Sequence, residues 1–245
     1  MSATGNQSFG YFAGGYTPTI STIDRIDYSN DTATASARGP LTEVKGYTAA
    51  TSSRANGIPT ENIINYAAGT LGTPNTGYFA GGYTPGPKSL VDRIDYSNDT
   101  ATAVAKGPLS VATYQFGATG NGSFGYFAGG IPGISTVNRI DYLNDTGITP
   151  TKGPLSGNKR NVSGTGNADF GYFTGGSPPA TTVDRIDYSS DTGTAPTKGP
   201  LSAARYSAAA TGNASFGYFG GGNLSPSIST AVSYTHLTLP TKRIV

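Results

Sequence analysis

The residues of this sequence that could do chemistry lie in one short motif that recurs four times. The motif reads (Asp/Asn)-Arg-Ile-Asp-Tyr, and its arginines are Arg25, Arg93, Arg139 and Arg185. A guanidinium group binds carboxylates or phosphates through paired hydrogen bonds, so a ring of four could bind anions. Alternatively, each arginine makes an ion pair between repeats with a nearby acid such as Asp27 or Asp95. Because arginine and acid recur together in every copy, we predict the structural ion pairs.

Paired carboxylates are the second candidate chemistry, since two acids with different pKa values can act as general acid and general base. Pairs such as Asp24 with Asp27 and Asp92 with Asp95 recur in the motif. A catalytic centre needs one site rather than four copies, and the two acids of a pair face opposite sides of a strand. The one histidine, His236, lies in the C-terminal tail, and the sequence has no cysteine. We therefore predict a protein that is not an enzyme, with no metal site and no cofactor.

Calcium binding is a third interpretation, because Asp27, Ser29 and Asp31 place oxygen atoms at alternate positions. The segment lacks the glycine and the distal glutamate of calcium loops, and Leu143 replaces the middle oxygen ligand in one copy. Asparagine and aspartate side chains also cap tight turns by bonding to the backbone. We therefore predict a capped turn.

These motifs are positioned by a repeat that runs through most of the sequence. A Gly-Tyr-Phe-X-Gly-Gly run starts at Gly10, Gly77, Gly125, Gly171 and Gly217. The arginines of the second motif follow one another after 68, 46 and 46 residues. A period in the forties, with short aromatic strands and turns rich in Gly, Pro and Asn, indicates a β-propeller. We predict an all-β propeller of about four four-stranded blades plus one extra strand, open or truncated.

Residues 123–168 illustrate the predicted blade. Its strands are Ser123 to Gly130, Ser135 to Tyr142, a threonine-rich strand ending at Lys152, and a weak fourth from about Asn161 to Gly164. Tyr126 and Phe127 point to opposite faces, as expected for a blade with a neighbour on each side. Paired glycines end each aromatic strand, where they permit positive φ and close backbone approach. They are Gly14, Gly15, Gly81, Gly82, Gly129, Gly130, Gly175 and Gly176.

This order of strands, Gly-Gly pairs and Pro-Leu connections resembles Kelch-type repeats over residues 1–230, except for an insertion at about 42–75. The chain lacks the tryptophan that Kelch blades carry. The amino-acid sequence of the repeat also resembles proteins predicted from marine phage and metagenomic sequence. This resemblance implies a virion tail or fibre and a location on the virion or outside cells. The segment Ser189 to Gly193 is similar to the Asp-box turn of sialidase-like propellers, which implies a hairpin.

Two segments depart from the repeat. Residues 42–75 exceed the other copies by about 20 residues and are predicted to form a protruding loop or an elaborated outer strand. Residues 231–245 resemble a translated sequencing adapter, so we expect a non-native tail that takes no part in the fold. Both ends of the sequence fall within a repeat, so we expect it to be a piece of a longer array.

The predicted binding surface lies on the variable loops after the Gly-Gly pairs. Tyr16 and Tyr83 lie there, and we expect Arg38, Lys106, Lys152 and Lys198 to share the same rim. A net charge of +2 and scattered basic residues predict no nucleic-acid partner, and no apolar run is long enough for a membrane span. We predict a non-enzymatic binding or structural module whose partner is a cell-surface polysaccharide or another virion protein. The alternatives are a propeller domain of a sialidase, epimerase or galactose-oxidase type enzyme, and a purely structural spacer.

Overall fold

The computed structural model describes residues 1–53, 75–223 and, for the backbone alone, 231–234. These residues form strands and turns without a helix. The strands make five antiparallel sheets, four of four strands and a fifth of three. Successive sheets place their first strands side by side, as the blades of a propeller do around its axis. The predicted all-β, propeller-like fold is confirmed.

The blades are numbered in chain order. Blade 1 contains β1 (Ser2–Gly5), β2 (Phe9–Tyr16), β3 (Thr19–Asp27) and β4 (Ser36–Arg38). Blade 2 contains β5 (Ala49–Ser52), β6 (Thr76–Ala80), β7 (Val91–Asp95) and β8 (Val104–Lys106). Blade 3 contains β9 (Gly117–Gly120), β10 (Phe124–Ala128), β11 (Val137–Asp141) and β12 (Thr151–Lys152). Blade 4 contains β13 (Ser163–Gly166), β14 (Phe170–Thr174), β15 (Val183–Asp187) and β16 (Thr197–Lys198). Blade 5 contains β17 (Ala209–Gly212), β18 (Gly217–Gly220) and β19 (Ala231–Tyr234).

The blade boundary differs from the predicted one. The weak fourth stretch of the predicted unit becomes β13, which pairs with β14 and therefore begins the next blade. This innermost strand is made of small residues because neighbouring inner strands pack closely. A Cβ atom added at Gly117 in β9 would lie 3.3 Å from the backbone nitrogen of Gly164 in β13. Glycine, alanine, serine and threonine leave little hydrophobic signal, which explains why the stretch looked weak in the sequence.

The insertion also begins later than predicted. Residues 42–48 form a connection of the ordinary kind, and Ala49–Ser52 form β5, the inner strand of blade 2. The separation from Leu41 to Ala49 equals that from Leu109 to Gly117, so the connection itself contains no extra residue. The extra residues follow Ser52, between β5 and β6, rather than in the outer strand. Residues 54–74, which include most of the predicted insertion, lie outside the described part of the chain.

Blade 5 has three strands where the sequence predicted one. β17 precedes the aromatic strand, and Ala231–Tyr234 pairs with it as β19, with Tyr218 opposite Ser233. The first residues of the predicted tail therefore take part in a sheet. The physical reason is general: the open edge of β18 offers unpaired backbone groups that an extended segment satisfies. Residues 224–230 and 235–245 lie outside the described residues.

The hydrophobic core lies between the blades rather than inside one. Tyr126 of blade 3 stacks on Tyr188 of blade 4, with ring centroids 4.8 Å apart. Phe127, next in sequence, packs on the opposite side in a cluster with Tyr78 and Tyr142. The prediction that consecutive aromatic residues serve opposite faces is confirmed. Each aromatic pair between blades also adds stacking energy beyond the burial of its surface.

The two ends of the array are not closed against each other. Tyr28 of blade 1 is 55% exposed, whereas its counterpart Tyr142 in blade 3 is 3% exposed. Tyr218 of blade 5 is 40% exposed, whereas its counterpart Tyr126 is fully buried. Each exposed tyrosine therefore presents half of an inter-blade contact whose other half is not supplied by the described residues.

Candidate functional site

The loops after the Gly-Gly pairs lie against the connections that lead into the inner strands. In blade 2 the backbone nitrogen of Tyr83 donates to the carbonyl of Gly46 at 2.9 Å, and Gly46 donates back to Tyr83. The same bridge joins Ile131 to Tyr114 in blade 3 and recurs in blades 4 and 5. We call this end of the sheets the loop face. Its loops are held by backbone bonds that do not depend on the side chains, so the side chains are free to vary.

Four tyrosines from three blades meet on the loop face. Tyr47 lies between Tyr16 and Tyr114, with ring centroids 4.6 and 6.2 Å away. Tyr83 lies 6.4 Å from Tyr16 and 5.0 Å from Tyr114, which completes the tyrosine cluster. Tyr16 is 49% exposed, and the other three rings are half-buried. The structure thus brings the two predicted tyrosines together and adds two that sequence reasoning missed.

A belt of strained backbone holds the cluster in place. Tyr47 has φ 53°, and the residues at its repeat position, Gln115, Asn161 and Ser207, have φ between 54 and 57°. This left-handed conformation is uncommon for residues other than glycine and costs on the order of 1 kcal/mol each. The belt residues are joined by backbone hydrogen bonds, from Gln115 to Tyr47, from Asn161 to Gln115 and from Ser207 to Asn161. These bonds fix the direction in which each side chain leaves the loop face.

The predicted basic residues are not part of this cluster. Lys152 makes an ion pair with Asp191 of the next blade at 3.2 Å, and Lys106 pairs with Asp145 at 3.1 Å. Arg38 lies 3.5 Å from Asp99 in the same arrangement. Lys198 makes no ion pair with the described residues. The side chains of Arg38, Lys106 and Lys152 therefore turn towards the neighbouring blade rather than towards the loop rim.

Three of the four predicted arginines, Arg25, Arg93 and Arg139, share those aspartates, whereas Arg185 makes no ion pair with the described residues. Asp191 of blade 4 accepts hydrogen bonds from Tyr126 and Arg139 of blade 3, each at 2.8 Å, in addition to its ion pair with Lys152. Blades 1 and 2 repeat this inter-blade carboxylate site with Tyr11, Arg25, Arg38 and Asp99, and with Tyr78, Arg93, Lys106 and Asp145. Burial, followed by the bond to Asp191, raises the pKa of Tyr126, so its hydroxyl stays a donor.

The acid of this site is not the predicted one. We expected Asp27 or Asp95 as the partner of arginine, but Asp27 instead caps its own turn. Its carboxylate accepts from the amide and the hydroxyl of Ser29 at 2.9 and 2.6 Å, and these bonds lower the pKa of Asp27. The side chain of Asp95 caps the next turn through Ser97 in the same way. Thus the predicted turn capping is confirmed, and the arginine pairs instead with the aspartate three residues after the motif of the next blade, which is Asp99, Asp145 or Asp191.

Replacing Asp191 with alanine should lower the free energy of unfolding by about 2 to 3 kcal/mol, because three donors lose one shared acceptor. Burial alone would raise the pKa of Asp191, but bonds from Tyr126 and Lys152 and the charge of Arg139 lower it overall. The stabilisation is therefore present above the unfolded pKa of about 4 and is lost as the pH falls below it. Urea unfolding followed by tyrosine fluorescence at pH 7 and at pH 3 measures both effects.

The matched control is Asp31→Ala, at the same repeat position in blade 1. Asp31 is exposed and has no hydrogen bond or ion pair with the described residues, because no described blade precedes it. The control should change the stability by less than about 0.5 kcal/mol. Equal losses from both substitutions would show that the inter-blade carboxylate site contributes nothing measurable.

The inner strands line a half-open cavity of about 220 Å³ with a lining of small residues. Alanine, glycine and threonine predominate, and Phe12 and Tyr28 are the large side chains of its wall. Among the described residues, no group of three or more acids, histidines or cysteines is close enough to hold a metal ion. Nor do those residues include a helix long and apolar enough to cross a membrane.

Comparison with known proteins finds no matching family model and no matching curated protein. The function is therefore inferred from the geometry of the tyrosine cluster. Its ring centroids lie 4.6 to 6.4 Å apart at interplanar angles of 39 to 62°, so the four inclined rings form one contiguous aromatic platform. Such a platform offers apolar ring surface for stacking and phenolic hydroxyls for hydrogen bonds.

Proposed function

We propose that this chain is a non-enzymatic binding module whose loop face contacts a cell-surface polysaccharide. The observation that carries the proposal is the tyrosine cluster. Tyrosine supplies a large, rigid contact area with a hydrogen-bonding tip, and few rotatable bonds are frozen when it binds. The backbone belt orders the platform before a ligand arrives, which reduces the entropy cost of binding.

The charge around the cluster favours a neutral sugar over an acidic one. Lys45 and Lys88, which flank the cluster, already have acidic partners, since Lys45 pairs with Asp92 at 2.6 Å and Lys88 with Glu43 at 3.3 Å. The apolar face of a pyranose ring stacks on an aromatic ring, and its hydroxyls accept and donate hydrogen bonds at the edge. The resemblance of the repeat sequence to phage proteins supports a place in a virion tail or fibre. There, many copies of the chain would multiply a modest affinity.

The experiment is a glycan array on the purified chain, followed by titration of the best ligand. We expect binding to a neutral polysaccharide, and Tyr47→Ala and Tyr83→Ala should each weaken it by about tenfold or more. Tyr47 and Tyr83 each contact the same two rings of the cluster, those of Tyr16 and Tyr114, so the two variants probe it equally. Circular dichroism of each variant checks that the blades still form.

The matched control is Tyr206→Ala. Tyr206 has the repeat position of Tyr114 and makes the same backbone bridge, but it lies in blade 5 outside the cluster. Its replacement should change the affinity less than twofold. If the chain binds no surface glycan and no host cell, the binding proposal is wrong and the structural spacer remains. If Tyr206→Ala and Tyr47→Ala lower the binding affinity equally, the binding site does not lie on the tyrosine cluster.

A further inference from the structure

The belt residues keep side chains at a backbone position that suits glycine. Tyr47, Gln115, Asn161 and Ser207 have φ between 53 and 57°. Glycine adopts such a conformation without strain, and the chain uses glycine at positive φ at least once in every Gly-Gly pair. Yet each of the four repeats places a different residue with a side chain at the belt position. Because the fold could relieve this strain with glycine, the strain points to a role for the side chains themselves.

The side-chain amides of Gln115 and Asn161 are not used by the fold. Both residues are half-buried, and neither amide makes a hydrogen bond with the described residues. The Asn161 Oδ1 atom is buried and accepts no hydrogen bond. A polar group withdrawn from water without a partner destabilises the chain, so packing does not explain why these two amides are kept. They offer N–H donors and carbonyl acceptors to a ligand.

The two amides continue the tyrosine cluster along the loop face. Gln115 follows Tyr114 in sequence, and its backbone nitrogen donates to the carbonyl of Tyr47 at 3.3 Å. The backbone nitrogen of Asn161 donates in turn to the carbonyl of Gln115 at 2.6 Å. Backbones joined by such bonds lie about 5 Å apart. A ligand that extends from the cluster along the belt therefore reaches Gln115 first and Asn161 next.

We propose that Gln115 and Asn161 form an amide subsite, which binds the sugar unit next to the one stacked on the tyrosine cluster. This inference rests on the proposed function, because it assigns a second contact to the same polysaccharide. An amide donates through its nitrogen and accepts through its oxygen, so it can pair with two neighbouring hydroxyl groups of one hexopyranose. The ligand class is therefore a neutral chain of at least two hexopyranose units.

The experiment follows the side-chain amide signals by nuclear magnetic resonance during titration with neutral oligosaccharides. The probes are maltohexaose, cellohexaose and mannohexaose, each compared with the methyl glycoside of its own sugar. The two amide signals are assigned by their loss in Gln115→Gly and Asn161→Gly. We expect at least one hexasaccharide to shift both amide signals together with the ring signals of the tyrosine cluster. The methyl glycoside should shift the ring signals alone.

The sequence provides an internal control for this titration. Gln7 is its other glutamine, and it lies exposed in the turn between β1 and β2, at the end of the sheet opposite to the loop face. The Gln7 signal should stay in place throughout the titration. Equal shifts of the Gln7 and Gln115 signals would show unspecific association of sugar with exposed amides and would contradict the amide subsite.

The glycine variants also measure how much each amide contributes. Gln115→Gly and Asn161→Gly should each weaken binding of the hexasaccharide by about threefold to tenfold, which corresponds to one lost hydrogen-bonding group. The urea midpoint should stay the same or rise, because glycine relieves the strain of the belt. Gln115→Asn keeps an amide that tolerates this φ and should recover part of the affinity. Gln7→Gly should leave the affinity unchanged. Weaker binding together with a lower urea midpoint would indicate a structural role and contradict the subsite.

The outcomes separate a failure of the subsite from a failure of the proposed function. If the tyrosine ring signals shift with a hexasaccharide and the two amide signals do not, sugar binds at the cluster alone. The amide subsite is then wrong, and the proposed function stands. If no probe shifts either set of signals, the loop face does not bind neutral sugar chains, and both proposals are wrong.

Discussion

Replacing Asp184 with asparagine is expected to lower the free energy of unfolding by about 3 to 5 kcal/mol. Asp184 is fully buried in blade 4, and the ammonium group of Lys159 lies 2.6 Å from its carboxylate. Removing one charge of a buried pair leaves the other without compensation, and that penalty exceeds the value of the pair itself. Urea unfolding measured by circular dichroism gives the loss directly.

The molecule contains its own neutral version of this pair. In blade 3 the two repeat positions hold Thr113 and Asn138, and the Asn138 oxygen accepts from Ser110 and Thr149 at 2.9 Å. The double variant Lys159→Thr with Asp184→Asn places the two blade 3 residues in blade 4, where Ala195 stands at the position of Thr149, so it should recover the part of the loss that the unbalanced lysine charge causes. A double variant as unstable as Asp184→Asn would show that the carboxylate, rather than the unbalanced lysine charge, matters.

The repeat could be predicted from the sequence because its signal is local. Aromatic strands, Gly-Gly pairs and Asp-capped turns occur within a few residues of one another, and turn chemistry depends only on neighbours. The inner strands could not be recognised in the sequence, because packing at the axis selects small residues that leave no hydrophobic pattern. Thus β13 looked like the end of one blade, although its backbone pairs with the next aromatic strand.

The partners across blades could not be predicted in the same way. The sequence places Asp27 and Asp31 near Arg25, and nothing local tells which acid in the next repeat reaches the arginine. The structure shows that the first acid is used by its own turn, so only the last one is available. Likewise Tyr47 and Tyr114 lie in connections that differ between repeats, and they meet only because three blades converge on one face.

One glycine decides how closely two blades approach. The backbone nitrogen of Gly153, in the Gly-Pro-Leu connection of blade 3, donates to the carbonyl of Asp191 at 2.8 Å. A Cβ atom added at Gly153 would lie 1.8 Å from the carbonyl oxygen of Gly193, which is backbone and cannot rotate away. Gly39 and Gly107 face the next blade equally closely, at 1.7 Å. This glycine is required for close approach rather than for an unusual φ.

Gly153→Ala is therefore expected to cost about 4 kcal/mol or more, because it separates blades 3 and 4 and removes the bonds around Asp191. The matched control is Gly193→Ala on the other side of the same contact, where an added Cβ atom meets nothing within 4 Å. The control should change the stability by less than about 1 kcal/mol. Urea unfolding compares the two variants, and the yield of soluble protein serves where Gly153→Ala does not fold. Equal stability of both variants would mean that the blades yield at this contact, and the repeated glycine would then need another explanation.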